Sequence, residues 1–321
     1  ICGAHIYGKQ IIQAEAFTTL RMDWNEHPGN LKALGDRNYA LGINRMVYHV
    51  FTHNPWLDRK PGMTLDAIGL YFQRDQTWWK PGRAWVQYAQ RCQALLQLGK
   101  PVVDVAVFTG HEVPRRSILP ERLVEILPGI FGDSILQREK KRMANVGEPL
   151  SESPDGVTHS ANIADPANWI DPLHGYAYDC INPDALMLTK SKNGRMELPG
   201  GASYGVLVMP RKHKMLPDDD LPVRLANAAL KKGAKIIRDP FTENSFRSLG
   251  LERDFEALDR QSKPAPGIAW THRRGDDFDI YFVSNQLGRT QNLTLSLRVT
   301  GQAPEIWDPV TSEMHTRVGW K

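Results

Sequence analysis

The chain has 321 residues, of which 41% are hydrophobic and 24% are charged, a composition typical of a globular protein and not of a disordered one. Its net charge of +4 is small for this length and its Lys and Arg residues are scattered, which argues against a dedicated nucleic-acid surface. Cys2, Cys92 and Cys180 are too few and too far apart for a disulfide framework or a cysteine-based metal site. No apolar run approaches the roughly 18 residues that a membrane span needs.

The N-terminus shows no basic segment followed by an apolar core, so no signal peptide is visible. Because the chain begins with Ile1 and not with methionine, we expect a fragment of a longer protein. Its compartment therefore stays open at this point.

Residues 1–110 carry alternating strand and helix signals, which favour a parallel sheet. Dense apolar and β-branched runs predict strands, and apolar residues at helical spacing predict helices. The predicted strands are 11–17, 43–51 and 102–108, and the predicted helices are 31–41 and 83–98. Only two strand–helix units precede the second helix, whereas a complete (β/α)₈ barrel takes about 250 residues. We therefore expect the C-terminal part of such a barrel.

Residues 111–262 predict a small flavodoxin-like α/β domain with a long irregular insertion, 114–174. A strand at 204–210, an amphipathic helix at 221–232 and a strand at 234–238 follow one another, as in a doubly wound fold. A short helix at 182–188 opens with an Asn-Pro pair. No Gly-x-Gly-x-x-Gly lies at a strand–helix turn, so a nucleotide role is weakly supported.

Residues 263–321 predict the start of a β-sandwich. Segments 268–273, 278–284 and 292–298 alternate apolar and polar side chains and are separated by turn residues.

The most informative single residue is Glu15, in the apolar run 11–17. An acid in a buried strand is costly unless it is paired or used. In α/β proteins functional residues gather at the C-terminal ends of strands, where Glu15 is expected. The competing interpretation is a structural carboxylate held by a neighbouring Arg.

Trp, His, Asn and Arg residues recur at the predicted strand ends and in the loops after them. Each has a plain structural explanation, such as Trp78 and Trp79 leading into a helix core or His49 as a satisfied core histidine. Together with Glu15 they have the composition of a carbohydrate site, since sugar faces stack on indoles and hydroxyls need polar partners. The candidate substrate-binding residues are Asn44, Arg45, His49, Trp24, Trp78, Trp79 and Glu112.

Several motifs resemble the α-L-rhamnosidases of glycoside hydrolase family 106, in order along nearly the whole chain. In the first segment they are His5-Ile-Tyr-Gly8-Lys9, Ala14-Glu15-Ala-Phe-Thr18, Gly42-Ile-Asn-Arg45, His49, Pro61-Gly-Met63, Thr77-Trp-Trp79 and Tyr88-x-x-Arg91-Cys-Gln. Later ones are Gly175-Tyr-x-Tyr-Asp179-x-Ile-Asn182, Trp270-x-His272-Arg273 and Asp279-x-Tyr-Phe-x-x-Asn285.

This resemblance implies a piece of an inverting, calcium-dependent enzyme that removes terminal rhamnose from a glycan. An inverting glycosidase uses a general acid and a general base about 6.5–9.5 Å apart. Glu15 would be the water-activating base or, alternatively, a calcium ligand. The acid is expected upstream of Ile1, with Glu112 as the candidate within the chain. The calcium ligands stay unassigned, and a periplasmic or extracellular location is implied.

Two rival interpretations remain. One is a galactosidase of similar layout, with a barrel followed by a flavodoxin-like domain. The other is a non-catalytic sugar-binding remnant, because the predicted barrel is incomplete. For the isolated 321 residues we expect Glu15 to be open to solvent, without a second carboxylate within about 10 Å.

Overall fold

The computed structural model describes residues 1–18, 24–65, 68–108, 170–171, 173–209, 224, 228, 233–238, 243–316 and 319–320. Within them the fold is a mixed α/β arrangement of several small sheets and few helices. The helices are α1 (Cys2–Ile6), α2 (Pro28–Leu41), α3 (Gly82–Leu96), α4 (Pro183–Leu188) and α5 (Glu243–Ser248). None of these helices is both long and apolar enough to cross a membrane.

The strands are short. They are β1 (Gln13–Ala16), β2 (Arg45–Tyr48), β3 (Lys100–Pro101), β4 (Val105–Phe108), β5 (Tyr178–Ile181), β6 (Lys190–Lys192), β7 (Arg195–Glu197), β8 (Ser203–Tyr204), β9 (Val206–Met209), β10 (Ile236–Arg238), β11 (Phe255–Leu258), β12 (Ile268–Arg274), β13 (Asp279–Asn285), β14 (Thr294–Leu297), β15 (Ile306–Trp307) and β16 (Met314–His315).

The first unit consists of β1, β2, α2 and α3. Strands β1 and β2 pair in parallel, with Glu15 opposite Val47. Successive side chains of a strand point to opposite faces, and one face packs with α2 and α3 around Tyr39, Trp85 and Tyr88. The other face is exposed at Gln13, Glu15, Arg45 and Val47. The expectation of a buried strand around Glu15 is therefore wrong, because helices cover only one of its faces.

Helix α2 begins and ends where its sequence supplies caps. The His27 ring Nδ1 accepts from the Gly29 backbone N–H at 3.1 Å, and Asn30 Oδ1 accepts from the His27 N–H at 2.9 Å. Pro28 occupies the first helical position. Gly42 ends the helix in the left-handed region, at φ 113°, as the sequence predicts.

A third strand-like stretch, residues 70–72, lies beside the continuation of β2. The Val50 N–H donates to the Leu70 carbonyl at 2.7 Å, and the Phe72 N–H donates to the Val50 carbonyl at 2.9 Å. This pattern is that of parallel neighbours. The sequence analysis did not predict this stretch, since three residues carry too short a periodic signal to be recognised.

The parallel-sheet unit consists of β4, β5, β9 and β10, hydrogen-bonded in the order β10-β9-β4-β5. All four residues of β4 and of β9 are buried, since one core covers each face of the sheet. The predicted strand 204–210 is divided at Gly205, whose N–H donates to the Asp104 carbonyl at 2.8 Å. The predicted helix 221–232 falls almost entirely outside the described residues, as does most of the insertion 114–174.

Helix α1, which the sequence analysis did not predict, packs on β5 of this unit. Ile6 joins the sheet core, and the His5 ring Nδ1 lies 3.0 Å from Asp179 Oδ1. Asp179 also accepts from the Tyr204 hydroxyl at 3.0 Å. At the other end of β5, Asn182 caps α4 by accepting from the Ala185 N–H at 2.9 Å, as its Asn-Pro pair predicts.

The antiparallel unit consists of two sheets, β13-β12-β3 and β11-β14, which share a core around Phe255 and Trp270. Strand β11 lies before the predicted boundary at residue 263, yet it pairs with β14. Strand β3 reaches this unit from the end of α3 and pairs with Arg273 and Arg274 of β12.

Helix α2 packs on the outer side of β12 and β13. The buried Asp36 carboxylate accepts from Lys32 at 2.6 Å, from the Ser284 hydroxyl at 2.8 Å and from the Tyr88 hydroxyl. One buried carboxylate of α2 thus joins α3 to β13, and the first unit rests on the antiparallel unit.

Candidate active site

The C-terminal ends of β1, β2 and the stretch 70–72 lie at one edge of the same parallel sheet. Side chains that follow such ends meet at this edge, where α/β proteins bind ligands. Glu15 and Thr18 come from the first strand, His49 from the second and Arg74 from the third. The sequence-predicted carboxylate is therefore placed among polar groups of three separate segments.

Glu15 projects from the open face of the sheet and is exposed. Its Oε1 accepts from the hydroxyl of Thr18. Among the described residues it forms no ion pair, so the interpretation of a carboxylate held by a neighbouring Arg has no support there. Its second oxygen has no protein partner within the described ranges and can accept a hydrogen bond from water or a sugar.

The turn after β1 brings Thr18 back to Glu15. It passes through Phe17, which has φ 62°, a region that bulky residues rarely adopt. The Phe17 ring lies 5.6 Å from the rings of both Tyr48 and Trp85. Because strained backbone persists only where packing over-determines it, this aromatic contact holds the turn in place.

Arg45 and His49 both belong to this part of the sheet. Arg45 lies opposite Gln13 on the open face and is exposed. His49 directly follows β2, and its N–H donates to the Ala16 carbonyl at 3.0 Å. Its ring Nδ1 is buried and has no hydrogen-bond partner among the described residues. A buried imidazole nitrogen without a protein partner is one that a ligand or water can engage.

Asn44 is a correction to the predicted site. It precedes β2, so it lies at the N-terminal end of the strand, away from the edge that carries Glu15. It is 1% exposed, and its amide is used by three backbone groups: it accepts from Ile12 N–H at 2.7 Å and donates to the carbonyls of Gln10 and Leu96. Its role is to join β1, β2 and α3.

The three predicted tryptophans differ in their surroundings. Trp78 is half-buried, with its indole N–H donating to the Glu26 carbonyl at 3.0 Å and its ring 5.6 Å from Phe72. Trp24 is 36% exposed and lies 5.6 Å from the Tyr71 ring, while Trp79 is 45% exposed. Trp78 is thus a packing residue, whereas the other two present indole surface to solvent. Glu112 lies outside the described residues.

A polar rim next to the site was not predicted from the sequence. Asn54 donates to Asp75 at 2.8 Å, and Arg74 donates to the carbonyls of Asn54 and Trp56 at 2.6 and 2.8 Å. These contacts tie the loop after β2 to the stretch after residue 72. The only sequence signal for this rim was the short apolar run that follows Gly69. Because that run was not assigned as a strand, the sequence analysis did not place Arg74 and Asp75 at the sheet edge.

Cys92 and Tyr48 lie behind the sheet and are not reactive groups. Burial raises the pKa of the Cys92 thiol to about 12, and burial together with nearby Cys92 raises the pKa of Tyr48 to about 12. Both stay protonated at neutral pH. In the described part of the chain no three His, Cys, Asp or Glu side chains gather to hold a metal ion.

This geometry offers one exposed carboxylate, fixed through one oxygen, on an open sheet face that also carries Arg45, with His49 just after the neighbouring strand. A free carboxylate oxygen beside such polar groups is a feature that general acid–base chemistry requires. The sequence comparison narrows the class. The family model described as alpha-L-rhamnosidase, glycoside hydrolase family 106, matches residues 2–139 and 224–321. The chain belongs to this family.

Two relatives extend the comparison. The chain is 28% identical over 348 aligned positions to a putative β-glucuronidase of Formosa agariphila, covering 99% of this chain and 25% of that protein. It also superimposes on a rhamnosidase of Novosphingobium sp. PP1Y with a TM-score of 0.70 and 25% identity, covering 98% of this chain and 29% of that one. The chain therefore spans between a quarter and a third of the length of these relatives.

Replacement of Asn44 tests its structural assignment. Asn44→Ala removes three hydrogen bonds and leaves the Ile12 N–H without its partner, so we expect a loss of about 2–4 kcal/mol in the free energy of unfolding, measured by urea denaturation. The exposed Asn292→Ala is the matched control and should change stability by less than about 0.5 kcal/mol. Unchanged stability of Asn44→Ala would show that the amide has another role.

Proposed function

We propose that this chain takes part in the hydrolysis of terminal α-L-rhamnosyl residues from glycans, by an inverting mechanism in which Glu15 is the general base. The observation that carries the proposal is that the family match includes Glu15, which lies exposed at the C-terminal edge of the parallel sheet. Glycosidase membership comes from the family, whereas the mechanism and the sugar are inferred.

In the proposed mechanism Glu15 removes a proton from a water molecule as that water attacks the anomeric carbon. The Thr18 hydroxyl holds Oε1, so Oε2 is the oxygen that accepts the proton. Inversion needs a carboxylic acid about 6.5–9.5 Å away to protonate the leaving oxygen. We assign that acid to a carboxylate outside the described residues, with Glu112 as the candidate within this chain.

For the substrate, we propose that Arg45 and His49 bind hydroxyls and that Trp24 and Trp79 stack on sugar rings. Arg45 shares the open face with Glu15, and His49 offers a buried nitrogen without a protein partner in the described ranges. Trp78 supports the site from behind. The partner is a rhamnose-containing oligosaccharide or polysaccharide, met in the periplasm or outside the cell.

The architecture that fits this proposal has three parts. Residues 1–110 form the C-terminal part of a (β/α)₈ barrel, residues 111–262 a flavodoxin-like domain and residues 263–321 the start of a β-sandwich. The parallel pairing of β1, β2 and 70–72 in front of α2 and α3 supports the first part. The four-stranded parallel sheet supports the second, although its strand β4 lies before residue 111 and favours an earlier start of that part. The core between β13-β12-β3 and β11-β14 supports the third. Pairing of β11 with β14 favours a sandwich that starts before residue 263.

Calcium enters this proposal only through the family resemblance. Ca²⁺ takes six to eight oxygen ligands, and among the described residues no three His, Cys, Asp or Glu side chains gather at one place. Among the described residues, Glu15 is the one carboxylate that we name as a candidate calcium ligand. No step of the mechanism is therefore assigned to the ion.

A second candidate substrate is a β-glucuronide, because one relative bears the name putative β-glucuronidase. Nitrophenyl α-L-rhamnoside, β-D-glucuronide and β-D-galactoside, assayed side by side with the protein that carries this chain, separate the candidates. Turnover of the rhamnoside with β-rhamnose as the first product, observed by proton NMR, is the expected outcome. Turnover of the glucuronide alone would replace the proposal.

Replacement of the carboxylate tests the role of Glu15. Glu15→Gln in the same protein should lower kcat at least about 100-fold, because an amide cannot accept the proton of water. Its melting temperature should stay unchanged, since the side chain is exposed and forms no ion pair among the described residues. Glu313→Gln, another exposed carboxylate, is the control and should keep full activity.

The same variant distinguishes a base from a calcium ligand. If Glu15 is the base, added Ca²⁺ should affect the melting temperatures of the wild type and of Glu15→Gln equally. If added Ca²⁺ raises the melting temperature of the wild type but not that of Glu15→Gln, Glu15 is a calcium ligand. If kcat of Glu15→Gln equals that of the wild type, Glu15 has neither role.

A further inference from the structure

A row of alternating charges runs through the junction between the parallel-sheet unit and the antiparallel unit, far in sequence from Glu15. Its members come from six separate segments, and each one contacts the next. In order they are Arg195, Asp104, Arg298, Asp254, His272, Asp279 and Arg274.

Asp104 anchors the row in the parallel-sheet unit. Asp104 directly precedes β4 and is 4% exposed. Arg195 of β7 donates to its Oδ1 at 2.9 Å, and Arg298, which follows β14, donates to its Oδ2. Arg298 also approaches Asp254 Oδ1 at 3.5 Å. One guanidinium thus connects a carboxylate of each unit.

His272 is the centre of the row and is 1% exposed. Its Nδ1 lies 2.9 Å from both carboxylate oxygens of Asp254, and its Nε2 lies 2.7 Å from Asp279 Oδ1. The ring stacks on Tyr281 with 4.0 Å between centroids. The Tyr281 hydroxyl in turn donates to Asp254 at 2.7 Å.

Both carboxylates act as acceptors in this arrangement. Burial raises the pKa of Asp279, but hydrogen bonds from His272 and Arg274 outweigh it, so its pKa lies below the usual value and the group is ionised. Asp254 receives the Tyr281 hydroxyl and faces Arg298. An ionised carboxylate has no proton to donate, so each imidazole nitrogen must carry one.

We propose that His272 is a buried imidazolium that donates from both ring nitrogens and thereby holds Asp254 in place for Arg298, the guanidinium that joins the antiparallel unit to the parallel-sheet unit. A neutral ring has only one N–H, so its other nitrogen would face a carboxylate with a lone pair at hydrogen-bond distance. Two buried acceptors in direct contact repel each other, which costs free energy. Buried ion pairs add little net stability over apolar packing, but breaking one of them is strongly destabilising. The row therefore selects one arrangement of the two units.

The charge state can be measured on the unaltered chain. With ¹⁵N-labelled histidine, the ring nitrogens of His272 should both show attached protons at pH 7.5, where an unperturbed histidine, with a pKa of about 6.5, is mostly neutral. The exposed His315, whose Nε2 lies 3.8 Å from Glu313, provides the internal comparison. A single ring proton on His272 would overturn the proposal, and this measurement needs no variant that folds.

Variants test the fastening itself. His272→Gln can serve only one of the two carboxylates, so its melting temperature should fall by more than about 5 °C, whereas His315→Gln should shift it by less than about 1 °C. Amide hydrogen exchange should increase at Val105 and Val206, next to Asp104, as well as at β12. Exchange that rises only within β11–β14 would show that the row does not join the units.

The lowered pKa of Asp279 predicts a dependence on acid. Its carboxylate faces His272 and Arg274 of β12, and its contribution to stability is present above the unfolded pKa near 3.9 and is lost as pH falls through the folded value. The melting temperatures of the wild type and Asp279→Asn should therefore differ at pH 5, and the difference should shrink as the pH falls below the unfolded pKa of about 3.9. Asp277→Asn, an exposed neighbour, controls for the loss of one charge. A difference that stays constant with pH would contradict the assignment.

Discussion

His272 and Arg273 are neighbours on β12 and point to opposite faces of its sheet, and each satisfies buried groups from a different part of the chain. Arg273 donates to the carbonyls of Leu98 and Gly99 at 2.7 and 2.8 Å, just after α3, while His272 contacts Asp254 and Asp279. Buried acceptors without such partners cost about 1–3 kcal/mol each. Strand β12 is thus attached to the first unit through Arg273, and it is linked to Asp104 of the parallel-sheet unit through Asp254 and Arg298.

The candidate active site depends on this support through α2. Asp36 links α2 to Ser284 of the antiparallel unit, and the Tyr39 ring lies 5.9 Å from Phe282. From there α2 and α3 cover β1 and β2 from one side only. The opposite face stays open, and it is the face from which Glu15 projects. The exposure of the carboxylate follows from which side the helices occupy.

Local sequence signals predicted the elements that have capping residues at their ends or a regular alternation of apolar and polar residues. Gly42 ends α2, Asn182 caps α4, and the period-two segments became β12, β13 and β14. Stretch 70–72 was missed because it becomes strand-like only beside Val50, and β11 because its partner β14 lies about 40 residues later. Glu15 and His49 lie at or just after the C-terminal ends of their strands, as predicted. Asn44 lies before its strand, and its amide bonds backbone groups of two other segments, which the sequence pattern does not show.

The sequence by itself determined the mixed α/β class and the family, and it singled out Glu15 as a candidate, because motif residues and periodicity are local properties of the chain. Only the tertiary structure decided that Glu15 is open on one face and bonded by Thr18, that Asn44 is a structural link, and that His272 lies between two carboxylates. The roles of Asn44 and His272 depend on contacts between different segments of the chain, such as Asn44 with Leu96 and His272 with Asp254. Such contacts form through packing and charge pairing, and no local pattern encodes them.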